Sequence, residues 1–101
     1  MPTSGDRRTL SADGQTPARK FVGPVRVSYK GTFGGGTAKV LQEDPSGAFI
    51  DVTGSARVAV DDFVIDFPLR SVNNIRIDLS GSTTPAFIGW IQGTDAGSGA
   101  L

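Results

Sequence analysis

Three groupings in this chain have the residue types that chemistry uses. The first is GTFGGGT at Gly31–Thr37, whose glycines invite comparison with a phosphate-cradling loop. A P-loop needs a Lys-Ser/Thr pair after its last glycine and a helix N-terminus facing the anion. Here Thr37, Ala38, Lys39 and Val40 follow in a strand-like run, so a tight or closely packed β-turn is the expectation. The second is Asp61, Asp62 and Asp66, a set of carboxylates of the kind that could serve calcium. Calcium takes six to eight oxygens, usually from a loop that turns sharply at a glycine. Phe63, Val64 and Ile65 occupy the intervening positions, so these aspartates are expected to mark a turn and a strand's wet face. The third is the supply of Ser, Thr and Lys nucleophiles. Each needs a base within reach, and the chain has no histidine. A Ser–Lys pair or paired carboxylates would have to substitute, and no spacing selects either. The sequence calls for no catalytic residue, no metal and no cofactor.

Aromatic residues offer another kind of chemistry, stacking on a sugar ring. Trp90 is the only tryptophan and Tyr29 the only tyrosine, and Phe33 lies inside the glycine-rich segment. Trp90 sits in the chain's most apolar run, Ala86 to Ile91, where core packing or a subunit contact is the expected role. Phe87, Trp90 and Ile91 are therefore the candidate subunit-interface residues.

The elements that would hold these residues are strands. Val25, Val27 and Tyr29 alternate with Arg26, Ser28 and Lys30, a half-buried pattern. Weaker alternation runs through Thr37–Gln42, Ala48–Val52 and Ala56–Val60, and Phe63, Ile65 and Phe67 share a face. Ile75, Ile77 and Leu79 give the clearest strand, opposite Arg76 and Asp78. The run at Ala86–Ile91 has almost no polar alternation, so both its faces are expected to be covered. Asp44-Pro45-Ser46-Gly47 between two β-prone runs is a hairpin signal, because proline presets φ and glycine supplies the awkward residue. The expected class is all-β: an antiparallel β-sandwich or jelly roll of about seven strands.

Composition sets the frame around that body. One domain is natural for 101 residues, and the absence of cysteine removes disulfides and thiolate metal sites. Net charge is zero, so no global field would draw in nucleic acid. The distribution is uneven. Residues 1–20 carry Arg7, Arg8, Arg19 and Lys20 against Asp6 and Asp13, with Met1 and Leu10 as their only large apolar side chains. That segment is expected to be an extended N-terminal arm, ordered only against another surface. Residues 21–92 would be the β-sandwich domain and residues 93–101 a flexible C-terminal tail. No apolar run nears the ~20 residues that span a bilayer, and no signal-peptide core is present. A soluble chain made in the cytoplasm, and standing alone from Met1, is the expectation.

The order of these features resembles the small head decoration (cement) proteins of bacteriophages and related β-structured virion accessories. The resemblance rests on GTFGGGT, on Val40-Leu41-Gln42, on DPSGAFIDV at Asp44–Val52, on Ile75 to Gly81, and on the closing run with Pro85 and Trp90. It covers about sixty residues, and residues 1–20 lie outside it. It implies a non-enzymatic protein on the outer surface of an assembled head, commonly a homotrimer, that binds the major capsid protein and reinforces contacts between capsomers. Arg7, Arg8, Arg19 and Lys20 would then reach along acidic capsid surface. A fibre or baseplate module binding host glycan through Trp90, Tyr29 or Phe33 is the alternative.

Overall fold

A computed structural model describes residues 3–95. Among these residues every regular element is a strand: β1 (Thr3–Leu10), β2 (Gly14–Gln15), β3 (Arg19–Thr32), β4 (Thr37–Glu43), β5 (Phe49–Asp51), β6 (Asp61–Ile65), β7 (Val72–Ser80) and β8 (Ala86–Asp95). The chain is all-β and antiparallel, as its alternation requires. The strands join in one continuous sheet of order β1-β8-β3-β7-β4-β5, with β2 added to β7 and β6 added to β3. Among the described residues no helix is long and apolar enough to cross a membrane.

One long strand makes this single sheet enclose a core. The first residues of β3, Arg19–Val22, pair with β7, whereas Val25–Tyr29 pair along the same edge with β6. The register against β8 shifts between Val22 and Arg26. Gly23 sits there at φ +73°, a left-handed conformation that glycine adopts without steric cost, and Pro24 follows. The bend lets the inward faces of the two sheet halves meet. Phe21, Val25, Val27 and Tyr29 of β3 pack with Val40 of β4, Ile75, Ile77 and Leu79 of β7, and Phe87 and Ile91 of β8 in one cluster. Gly89 of β8 marks a close approach between the halves: a Cβ there would lie 2.7 Å from Ile77 Cδ1.

The segment expected to be a separate arm is part of this sheet. β1 pairs with β8 along its whole length, Thr3 opposite Thr94 through Leu10 opposite Phe87. Its polar side chains gave no reason to expect that, because main-chain ladder bonds do not depend on side-chain type. Leu10 packs against the core, and Thr16 is buried with its hydroxyl accepting the Ile77 N–H at 2.9 Å. Two boundaries move accordingly. The body begins at β1 rather than residue 21, and β8 continues to Asp95, past the expected tail boundary at 93. The rest of that tail lies outside the described residues.

Ala56–Val60 is not a strand. Only Arg57 bridges to Ala38, while Val58 and Val60 point outward. Alternation without a facing layer does not make a ladder. The Asp44 hairpin forms as read: the Asp44 carboxylate accepts the N–H of Ser46 at 2.9 Å and of Ala48 at 3.1 Å, and Gly47 takes φ +90°. These bonds, the Ser46 hydroxyl foremost, hold its carboxyl below the usual range.

Candidate functional site

Residues directly opposite one another on neighbouring strands share a face. On the outward face of β1, β8, β3 and β6 this rule assembles three rows. Thr9, Ile88 and Lys30 form the first. Arg7, Trp90, Ser28 and Asp62 form the second. Gly5, Gln92, Arg26 and Val64 form the third. The result is a half-open depression of about 530 Å³ lined by Arg7, Arg26, Ser28, Lys30, Asp62, Ile88 and Trp90.

Trp90 is its centrepiece. The indole leans over β1 so closely that a Cβ on Gly5 would stand 2.8 Å from Nε1. Glycine at position 5 is therefore what lets the Nε1 edge of the indole come up against the edge strand. Along the other wall Arg26 donates two hydrogen bonds to Asp62, at 2.9 and 2.6 Å. Arg26 holds the Asp62 carboxyl below its ordinary range, helped by the Ser28 hydroxyl and Lys30, and the Arg26 guanidinium is raised in return. The lining carries three cations against one carboxylate, and that carboxylate is already engaged. The outcome is a cationic rim around a partly exposed aromatic ring.

The structure divides the residues singled out from sequence. Phe87 and Ile91 are buried in the chain's own core, 0% and 3% exposed, so neither is available as a subunit contact. Of the three candidate interface residues only Trp90 reaches the surface. The apolar run looked doubly covered because Gly89 and Phe87 face inward while Ile88 and Trp90 face the depression. Tyr29 and Phe33 are also buried and form part of an aromatic cluster with Phe63 and Phe87. They cannot serve as sugar platforms.

The four cations of the first twenty residues do not form one patch. Successive β1 side chains point to opposite faces. Arg7 joins the Trp90 face. Arg8 turns to the other side and pairs with Asp6 at 3.0 Å, which Arg19 also approaches at 3.8 Å. Arg19 lies over the Phe21 ring, 5.7 Å from its centroid. Lys20 is exposed opposite Asn74. Sequence reading missed Arg26, Ser28, Lys30, Asp62 and Ile88 as companions of Trp90. Their alternation was visible, but which strands lie side by side was not.

The glycine-rich segment is a turn clamped to the β7–β8 loop. Thr83 N–H donates to the Gly34 carbonyl at 2.9 Å, and a Cβ on Gly31 would lie 2.1 Å from the Ala86 carbonyl oxygen. It presents no helix N-terminus. The aspartates are dispersed as well: Asp61 pairs with Arg57 at 2.6 Å on the face opposite Asp62.

No family model, no characterised protein and no solved structure matches this chain. The functional reading therefore rests on its own geometry and on the sequence resemblance alone.

Proposed function

We propose that this protein is a bacteriophage head decoration protein, a non-enzymatic accessory on the outer surface of the assembled shell. The observation that carries the reading is β1. Among the described residues it is the last strand on its side of the sheet, so for eight residues one row of its N–H and C=O groups faces away from β8. Such an edge is a template for pairing with a strand of another chain. Arg8 on β1 and Lys20 at the start of β3 are exposed and supply positive charge for an acidic capsid neighbour. Bound at many equivalent positions on the major capsid protein, modest contacts of this kind would add up and bridge adjoining capsomers. The arm of the sequence reading is replaced by an edge strand that is already in place. The trimer implied by the resemblance would have to form without Phe87 and Ile91.

The test is cosedimentation of the full chain with undecorated phage heads. Saturable binding is expected, weakened about tenfold (~1.4 kcal/mol) by the double change Arg8→Glu, Lys20→Glu. Absence of saturable binding by the unaltered chain rejects the proposal. Unchanged binding by the double variant rejects the charge contribution.

A further inference from the structure

We propose that the depression around Trp90 is a binding site for an acidic saccharide, a pyranose chain bearing carboxylates. This is a separate activity from shell binding and does not depend on it, because the indole faces outward from the sheet whereas the β1 edge lies in its plane.

Four observations on the same face converge on this ligand. The chain's other large aromatic rings are mostly spent on the core, yet Trp90 stands outside the core cluster and only partly covered. Among the described residues no guanidinium or ammonium sits over its ring, although Arg19, Arg57 and Arg76 each cover a phenylalanine. The partly exposed indole is thus uncovered by any of these cations and can stack on the C–H face of a sugar, and no intramolecular acceptor takes its N–H among the described residues. The rim is cationic and unevenly paired. Arg26 is committed to Asp62, which leaves Arg7 without an ion pair among the described residues and Lys30 with only a share of Asp62's charge.

Geometry sets the scale of the ligand. Arg7 is directly opposite Trp90 on one side, and Lys30 stands two residues along the far neighbouring strand. Strand spacing and rise place those two backbones on the order of 12 Å apart, with the indole between them. Carboxylates on successive sugars could meet Arg7 and Lys30 while the intervening ring stacks on Trp90. Arg7 offers the planar fork that a carboxylate accepts bidentately, and Lys30 offers a point charge. The exposed Asp62–Arg26 pair supplies the polar wall that hydroxyl groups require, with the buried Ser28 hydroxyl bonded to Asp62 behind it. The volume of about 530 Å³ lies within the range of small-ligand sites.

A nucleic acid strand is the rival anionic polymer. Stretches of bases stack on several aromatics in succession along a basic groove. This face has a single exposed ring and a carboxylate in its wall, which favours the saccharide.

The experiment uses the full chain and its own fluorescence. Trp90 is the only tryptophan, so emission excited at the indole's red edge reports this site alone. The probes are a galacturonic acid tetramer, a neutral galactose tetramer and an eight-residue oligothymidylate. The acidic tetramer is expected to change Trp90 emission saturably with Kd in the range of about 0.1–1 mM. Binding should weaken several-fold as salt rises from about 20 to about 300 mM. Arg7→Gln and Lys30→Gln, both exposed side chains outside the core, should each weaken it about fivefold or more, with unchanged melting curves. The neutral tetramer should bind at least tenfold more weakly than the acidic one. The proposal is overturned by no saturable change up to about 10 mM acidic tetramer. It is equally overturned by equal binding of the neutral tetramer, by tighter binding of the oligothymidylate, or by variants that bind like the parent. A chain that binds the tetramer and ignores phage heads would keep this site and remove the decoration reading; the reverse result would do the opposite.

Discussion

Ser55 tests how this small sheet satisfies its buried backbone, and the consequence of losing it can be worked out bond by bond. The side chain is 1% exposed. Its Oγ accepts the Val40 N–H at 3.0 Å and donates to the Val52 carbonyl at 2.7 Å. β5 ends at Asp51, one residue short of covering Val40 fully, and the Ser55 hydroxyl takes the place of the missing ladder partner. In Ser55→Ala the Val52 carbonyl keeps the Ser55 N–H at 3.1 Å, and the Val40 carbonyl keeps the Val52 N–H at 2.9 Å. Only the Val40 N–H is orphaned. An unsatisfied buried donor costs about 1–3 kcal/mol, so about 2 kcal/mol is expected. For a chain of this size that lowers the thermal midpoint by roughly 8–10 °C. The assay is paired urea and thermal unfolding, with an unchanged m-value showing that the unfolded state is unaltered. Ser11→Ala, at an exposed position outside the strands, is the control and should stay within about 0.5 kcal/mol. A Ser55→Ala chain as stable as that control would refute the claim that this hydroxyl substitutes for a strand.

Two further perturbations probe the same core. Burial pushes the Tyr29 hydroxyl above its ordinary value, with Arg57 pulling it partly back. The folded state thus holds its proton to higher pH than the unfolded state, so this stabilisation is whole below about pH 10 and is lost as pH rises beyond that. Wild type should lose stability steeply on alkaline titration and Tyr29→Phe less steeply; parallel pH curves would contradict the assignment. Adding a methyl where the sheet halves touch should also be costly. Gly89→Ala is expected to lose about 1–3 kcal/mol through overpacking against Ile77 and Phe87. Gly31→Ala, which combines φ +82° with a backbone collision, should lose more. Unfolding curves that ranked the two the other way would count against the close approaches seen here.

The amino-acid order was informative where side chains decide the outcome. Ile75, Ile77 and Leu79 alternate because one face of β7 meets the core, and the Asp44 hairpin was legible because its residues cap their own turn. Where main-chain pairing or a distant partner decides, the pattern was silent. β1 is held through backbone ladder bonds, so Ser4, Asp6 and Arg8 gave no strand signal. Ala56–Val60 shows the opposite failure, since its alternation is real but no layer lies opposite to bury it. Trp90 was visible as an unusual residue, yet its apolar neighbours concealed that odd and even positions of β8 have different fates. Arg7 and Asp62 are far apart in sequence and became parts of one face only through register.

The decoration and saccharide readings place their demands on different directions of the same strand. Main-chain groups of β1 project within the sheet, toward any neighbour that continues it, whereas Arg7 projects perpendicular to the sheet beside Trp90. The indole resting on Gly5 ties the two together, because a Cβ at position 5 would stand 2.8 Å from Nε1 and force the ring or the strand to shift. A partner strand that twisted β1 would therefore shift Gly5 under the indole and alter the Arg7–Trp90 wall. If pairing at the edge does twist β1, the two occupancies would be coupled in binding free energy even though neither site needs the other in order to bind, and coupling of that kind is reciprocal. Shell-bound protein would differ from free protein in its affinity for the acidic tetramer by the same factor that the tetramer changes its affinity for shells.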